Sequence, residues 1–291
     1  MSAKSTAAPR PSASLVVINA RNEVLLVHRN PKASSFAGAH VFPGGNFDGK
    51  QDSSSRMTAI RETFEESGLL FASPAESIPD AVTMATARQE IHSMKRTFGS
   101  FLEEHGLKTD ESVLMPFTQW LTPVEAPRRY HTHFYVAFLP SSHATGFSAG
   151  AKEEQMPTPD GGQEVISARF LTPSAWLSLF REQKITFMPP QYYILSTLAD
   201  IPPASLREGV LKLSNGAFGK MSVHPERLFT DGKKVTFTYE GDEERGGQSG
   251  RRHRVNCEVG KGGVMTRIDL EQSFDVFSQI EHQVPAESSK L

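Results

Sequence analysis

RETFEESGLL, residues Arg61–Leu70, decides how this chain reads. At about 100° per residue on an α-helix, Glu62, Glu65 and Glu66 fall on one face. Met57, Ile60 and Phe64 fall on the opposite face and can anchor the helix in a core. Three clustered carboxylates repel one another and raise their own pKa values. A hard divalent cation such as Mg²⁺ relieves that repulsion, takes oxygen ligands and bridges to phosphates. A solvated acidic helix face is the alternative, and these ten residues alone do not separate the two.

The residues upstream do. Val41-Phe42-Pro43-Gly44-Gly45 is an apolar run stopped by Pro and paired Gly, which predicts a strand entering a tight loop. The loop runs from Asn46 to Ser55, with Ser53, Ser54 or Ser55 as helix N-cap. Glycines let backbone approach a ligand closely, so the Gly44 carbonyl is a candidate metal ligand. The order Gly-Gly, acidic loop, Arg-Glu-x-x-Glu-Glu-x-Gly resembles the Nudix box. That resemblance implies a metal-binding loop and helix in a hydrolase of nucleoside diphosphates linked to another moiety. Arg61, Glu62, Glu65, Glu66, Gly68 and Leu69 stand where the motif requires them. The loop half departs from it: it is two residues longer, and Gln51 replaces the motif's glutamate, with Asp48 and Asp52 on either side. Thr63 also stands where an aliphatic residue is usual.

At 291 residues the chain can bury a substantial core in one large domain or two small ones. Its 38% apolar and 22% charged content fits a globular protein, and a net charge of −2 argues against a dedicated nucleic-acid or membrane-surface binder. Cys257 is the single cysteine, which excludes an intrachain disulfide; its alternating run makes it a packed thiol. No apolar run approaches the roughly 18 residues of a membrane span. Residues 1–13 are polar and Pro/Ala/Ser-rich, a disordered lead-in. Residues 283–291 read as a flexible tail whose Ser289-Lys290-Leu291 is a peroxisomal address for an import receptor, predicting the peroxisomal matrix.

Between those ends, Leu15–Ile18 and Val24–Val27 predict a β-hairpin. Residues 80–106 predict a helical insertion, with Ile91, Met94, Phe98, Phe101 and Leu102 in helical period. Residues 117–121 and 131–139 predict strands, 140–162 a long surface loop, 164–170 a strand, and 173–183 and 191–198 helices. Pro202-Pro203 marks a boundary between a domain of residues 14–201 and a β-rich extension of residues 204–282. In the latter, Val235, Phe237, Tyr239 and then Val255, Cys257, Val259 alternate. The basic run Arg251-Arg252-His253-Arg254 suits either an anionic partner or a solvated strand end.

VFPGG with Asp48, the helix RETFEESGLL, the helical insertion, Trp120-Leu121-Thr122-Pro123 and the strand Arg129–Tyr135 together resemble the peroxisomal coenzyme A diphosphatases. The similarity runs from Leu15 to Ala199. His131 departs from it, standing where that group commonly has Asp. The resemblance implies an α/β fold, an α/β/α sandwich around a mixed sheet. It also implies hydrolysis of coenzyme A or acyl-CoA to 3′,5′-ADP and (acyl-)phosphopantetheine. Mg²⁺ or Mn²⁺ would be held by Glu62, Glu65, Glu66 and Gly44. Arg61 would orient the glutamates, and Glu62 or Glu164 would serve as general base. A diphosphate also needs cations, for which Arg29 and Arg129 are the candidates. His131 and His133 share a strand face and are candidates for phosphate contact. Tyr192 and Phe187 suit base stacking or, more simply, a core. Two other functions stay open: an NADH or ADP-ribose pyrophosphatase, and a binding module without turnover.

Overall fold

The computed structural model describes residues 8–33, 36–139, 154–155, 164–260 and 263–280. Its centre is a mixed sheet. β1 (Arg10–Ile18) and β2 (Val24–Arg29) form the expected hairpin, but β1 starts inside the expected lead-in, where Arg10–Ala13 pair in parallel with the later strand at Tyr130–His133. β1 and β2 share the pair Ile18↔Val24 and then diverge. The following segment fills the fork: β3 (His40–Val41) pairs with β2, and β4 (Gly44–Asn46) pairs with β1. The glycine pair is therefore strand rather than loop, because Ser12–Ser14 of β1 offer it an open edge.

Helix α1 (Ser55–Ser67) follows. Ser54 caps it by accepting from the Met57 N–H, and Gly68 closes it in the left-handed region at φ 79°. β5 (Ala72–Ser73) and β6 (Lys108–Thr109) pair around the insertion. The insertion is two helices, α2 (Ala81–His92) and α3 (Phe98–Glu104), broken where Met94 takes φ 55°. Met94 is 88% exposed, so it punctuates the insertion instead of joining its core. Phe64 of α1 stacks on Phe101 at 5.4 Å and meets Phe98 at 5.8 Å, which fastens the insertion to the acidic helix.

β7 (Met115–Leu121) and β8 (Tyr130–Phe138) extend the sheet beyond β1. On the other side, β9 (Glu154–Gln155) and β10 (Val165–Leu171) pair, and β10 joins β2. The rest of the expected loop at 140–162 lies outside the described residues, as do Ser289, Lys290 and Leu291. α4 (Pro173–Arg181) is capped by Thr172, and α5 (Pro189–Ala199) begins on the proline pair. Side chains alternate across the sheet. Leu15 and Val17 face α1, α2 and α3, whereas Val16 and Ile18 face α4, α5 and the C-terminal region.

After Pro202-Pro203 come α6 (Leu206–Asn215) and β11 (Ser222–Val223), which adds in parallel to β7. β12 (Glu226–Asp231), β13 (Lys234–Thr238), β14 (His253–Val259) and β15 (Met265–Gln272) form a separate antiparallel sheet, followed by a short helix α7 (Val276–Gln279). β12 is exposed along its length and carries no core signal for sequence reading to find. Phe237, Tyr239, Val255, Cys257 and Ile268 sit in the same buried cluster as Trp120 and Tyr193, so the core runs unbroken past the proline pair. Burial pushes the Cys257 thiol up to about 12, as a packed thiol requires. The basic run is largely structural. Arg254 is buried against Asp242, with Nη2 to Oδ1 at 2.6 Å and Nε to Oδ2 at 2.8 Å.

His253 locks the two parts together. Its Nδ1 donates to the Glu240 carbonyl at 2.7 Å, and Tyr193 of α5 donates its hydroxyl to Nε2 at 2.9 Å. Burial holds the imidazole neutral and lowers its pKa to about 4. Between that value and the ordinary 6.5 the unfolded chain binds a proton that the folded chain refuses, so this contribution is lost as pH falls. In urea unfolding, the wild type is expected to lose roughly 3 kcal/mol more than His253→Gln between pH 6.5 and 4. Parallel losses in the two proteins would refute the assignment.

Candidate active site

Gly44 and Gly45 lie between β1 and α1 with no room to spare. A Cβ on Gly44 would overlap Ser14 Oγ and the Ala13 carbonyl, and one on Gly45 would come within 2.5 Å of the Glu62 carboxyl carbon. The glycines thereby let the acids of α1 reach backbone. The Gly44 N–H donates to Glu66 Oε2 at 3.0 Å. Glu66 also pairs with Arg29, whose Nη1 is 3.3 Å from Oε1.

Arg61 organises the rest. It is buried, and Asp52 grips it with two bonds, Nε to Oδ1 at 2.8 Å and Nη2 to Oδ2 at 2.9 Å. Its Nη1 lies 2.8 Å from Glu65 Oε1 and 3.0 Å from Glu62 Oε1, and Nη2 donates to the Asn46 carbonyl at 3.1 Å. These partners outweigh burial and keep the guanidinium charged. Asp52 is thus the loop's link to the helix, a role for which sequence reading had it only beside a missing glutamate. It also accepts from the Thr58 hydroxyl at 2.9 Å and from the Asp48 N–H at 2.9 Å. Gln51 turns the other way, donating to Asp48 and accepting from the Phe98 N–H of the insertion at 3.2 Å. Arg88 of α2, which sequence reading missed, donates to the Glu65 and Glu66 carbonyls and satisfies the C-terminal end of α1.

The acids outnumber their cations. Burial raises Glu62 to about 8, opposed by Arg61 and reinforced by Glu65 and Glu66. Burial likewise raises Glu66 to about 7, opposed by Arg29 and the Gly44 N–H and reinforced by Glu164 and Glu65. Among the described residues, no three His, Cys, Asp or Glu groups already converge as a preformed metal cage. The donor chemistry nevertheless fits a hard divalent cation: all-oxygen carboxylates, Glu66 buried and Glu62 and Glu65 partly so, short of positive charge. Glu62, Glu65 and Glu66 are the residues that would hold it, with the neighbouring Gly44 carbonyl.

A cavity of about 410 Å³ opens beside this cluster on the opposite sheet face. Gly44, Gly45, Arg29 and Glu164 line it, so the acids of α1 meet it through the glycines and Arg29. Arg10 and Arg128 also line it, whereas Arg129 is absent from the lining and donates from Nε to the Thr122 carbonyl at 3.3 Å. His131 and His133 are absent from the lining as well, although their neighbours Thr132 and Phe134 belong to it. His131 Nε2 bonds Gln119 Oε1 at 2.8 Å, and burial lowers its pKa and takes that of His133 to about 4. Phe187 and Tyr192 pack on Phe180 in the core, at 5.1 and 5.6 Å between ring centroids. From the C-terminal region, Phe237, Tyr239 and Met265 complete the wall.

A sheet with an inserted glycine strand, a buried Arg–Asp clamp and an acidic helix beside a cavity define a Nudix-fold protein. The family model for the NUDT19 Nudix domain matches residues 50–198, just over half of the chain, and the chain belongs to that family of Nudix hydrolases. It is 26% identical over 243 residues to the acyl-coenzyme A diphosphatase NUDT19 of Xenopus laevis, covering 62% of this chain and 60% of that protein. To the acyl-coenzyme A diphosphatase NUDT19 of Gallus gallus it is 28% identical, over 50% of this chain and 40% of that protein. The match therefore spans less than two thirds of either relative. A putative nudix hydrolase 7 of Caenorhabditis elegans is 24% identical, over 82% of this chain and 75% of that protein. The crystal structure of a NUDIX hydrolase from Alicyclobacillus acidocaldarius shares the fold, with a TM-score of 0.55 at 23% identity, over 70% of this chain and 97% of that one.

The raised acids set a testable dependence of stability on pH. Between the ordinary 4.5 and about 8, folded Glu62 keeps a proton that the unfolded chain has released, so stability falls as pH rises. In metal-free protein, thermal scans from pH 6.5 to 8.5 are expected to show a falling Tm that Glu62→Gln flattens. Added Mg²⁺ or Mn²⁺ should raise Tm at pH 8.5 in the wild type. A Tm at pH 8.5 that neither the substitution nor the cation moves would count against a cation-seeking site.

Proposed function

We propose that this chain hydrolyses the diphosphate of coenzyme A or acyl-CoA with Mg²⁺ or Mn²⁺, releasing 3′,5′-ADP and (acyl-)phosphopantetheine. The observation that carries the reading is the pair Glu62 and Glu66, held against Gly45 and Gly44 where that backbone lines the cavity. The names of the NUDT19 relatives support the substrate class.

When bound, the cation neutralises diphosphate charge and acidifies water at the site. The protein's own residues do the rest. Glu62, Glu65 and Glu66 would hold the cation, with the Gly44 carbonyl, and Arg61, gripped by Asp52, fixes Glu62 and Glu65 in place. Arg29 stands between Glu66 and the cavity and binds diphosphate oxygens. Arg10 and Arg128 line the same cavity and take the remaining phosphate charge, whereas Arg129, a candidate for the diphosphate, lies outside the lining. Glu164 lines the cavity, whereas Glu62 sits behind Gly45, so Glu164 accepts the proton of the attacking water. Water oxygen bonds to one phosphorus as the bridging oxygen leaves with the other phosphate. Localisation in the peroxisomal matrix accompanies this reading, and residues 283–291 appended to a fluorescent reporter would test it.

Purified protein with Mg²⁺ or Mn²⁺ is expected to yield 3′,5′-ADP from coenzyme A or acyl-CoA by mass spectrometry. AMP from NADH or ADP-ribose, with coenzyme A left intact, would transfer the reading to dinucleotides. Glu66→Gln keeps the acceptor for the Gly44 N–H while removing a ligand, and kcat should fall at least about 10²-fold with the fold intact. Glu164→Gln should cost about 10²–10⁴-fold at saturating metal. An effect confined to Glu62→Gln would move the base to Glu62.

A further inference from the structure

The cavity also holds an aromatic pair that the acids of α1 and Arg29 do not use. Phe36, from the segment between β2 and β3, and Tyr130, the first residue of β8, both line it. Their ring centroids lie 6.0 Å apart, with the planes tilted by 47°. Phe36 is 43% exposed, so the contact leaves much of its ring accessible. Its backbone sits at φ 51°, uncommon for a bulky residue, in a tight turn where the Ala39 N–H donates to the Phe36 carbonyl at 3.0 Å. Tyr130 is held from both sides by Thr122. Its N–H donates to Thr122 Oγ1 at 2.9 Å, and its carbonyl accepts from the Thr122 N–H at 2.9 Å. Phe187 and Tyr192, the rings that sequence reading offered for base stacking, are committed to the core.

Two arginines stand with this pair. Arg10 lies opposite Tyr130 in the parallel ladder of β1 and β8, Arg128 precedes Tyr130 by two residues, and both line the cavity. The Arg10 N–H donates to the Arg129 carbonyl at 2.9 Å, which ties the start of β1 to the same bend. Tyr130 thus joins the second ring and the two guanidinium groups into one patch. That patch is set apart from the acids. Gly44 pairs with Ser14 of β1, and Arg10 lies four residues further along, about 13 Å on an extended strand. A diphosphate seated at Gly44 therefore leaves the rings and their arginines for another part of the ligand. An aliphatic chain has no use for two guanidinium groups, and a sugar phosphate brings no π face. A nucleobase on a phosphorylated sugar answers both, stacking on a ring while the arginines donate to phosphate oxygens.

We infer that Phe36 and Tyr130, flanked by Arg10 and Arg128, form a subsite for a nucleobase whose sugar carries a phosphate of its own, separate from the diphosphate that is cut. The segment between β2 and β3 is thereby a specificity element of the active site. Naming the occupant as adenosine 3′,5′-bisphosphate rests on the coenzyme A reading above; the subsite for a base does not.

The test uses the full chain and adenosine 3′,5′-bisphosphate, which carries no diphosphate. Calorimetric titration is expected to show binding to the wild type, about tenfold tighter than that of AMP. Phe36→Ala should weaken it about tenfold, and Phe36→Trp, which keeps a stacking face, should restore it. Replacing both arginines, Arg10→Gln with Arg128→Gln, should leave the bisphosphate no tighter than AMP. Binding of 4′-phosphopantetheine should be the same in Phe36→Ala as in the wild type. No binding of the bisphosphate by the wild type, or equal binding by wild type and Phe36→Ala, overturns the subsite even if coenzyme A is hydrolysed. Loss of phosphopantetheine binding in Phe36→Ala, with the bisphosphate unaffected, also overturns it. AMP bound by the wild type as tightly as the bisphosphate overturns the role of the two arginines. Phe36-dependent binding of the bisphosphate in a protein that leaves coenzyme A uncut would uphold the subsite and sink the coenzyme A reading.

Discussion

The close approach of Gly44-Gly45 to β1 on one side and to α1 on the other is the constraint around which this structure is arranged. β1 and β2 part after Ile18↔Val24, and only a strand without side chains fits between β1 and the acidic helix. With alanine at 45, the new Cβ would occupy the space of the Glu62 carboxylate. The glycines therefore do two things at once. They close the fork in the sheet, and they carry the reach of buried carboxylates through to the cavity on the sheet's other face.

Burying acids this way needs an anchor that is not itself consumed by the chemistry. Arg61 supplies it, because Asp52 commits two of its nitrogens from the loop while its third faces Glu62 and Glu65. A planar guanidinium can serve both sides, where a lysine would offer one point charge. Glu66 is restrained separately, by a backbone N–H and by Arg29. The helix thus stays folded with more acids than cations beside it, and burial makes Glu62 and Glu66 hold their protons more tightly than exposed glutamates do. The insertion contributes from behind, through Phe98 and Phe101 on Phe64 and through Arg88 on the last carbonyls of α1.

What the sequence made legible follows from distance along the chain. The acidic face, its cap region and the glycine pair lie within thirty residues of one another, and local periodicity was enough to bring them together. The loop half was harder. Its two extra residues are absorbed by a turn in which Asp52 bonds back to Asp48, and only the fold shows that Asp52, rather than Gln51, reaches Arg61. The arginines of the cavity were half legible: Arg29 lies at the end of a hairpin strand, whereas the bend ahead of β8 brings Arg128, not its neighbour Arg129, into the lining. For His131 and His133 the sequence leaves phosphate contact and no ligand both open, and period-two alternation places Thr132 and Phe134 in the lining in their stead. The aromatic wall was not legible at all, because Trp120, Gln191 and Tyr239 come together only through folding.

The C-terminal region is packed into the same core as the central sheet. Its sequence reads as an appendage set off by Pro202-Pro203, yet its side chains complete the hydrophobic core on one face of the catalytic sheet. β11 extends that sheet in parallel beside β7, the strand that carries Trp120. Phe218 packs edge-on against Phe117 at 4.9 Å, and His253 joins Tyr193 by a buried hydrogen bond. Trp120 consequently sits at a seam, in a cluster where its ring, Tyr193 and Tyr239 all meet edge to face. The cavity therefore has arginines in one part of its lining and uncharged C-terminal side chains in another. The C-terminal sheet therefore shares both a hydrophobic core and a cavity wall with the central sheet, and its integrity and the shape of the cavity stand or fall together.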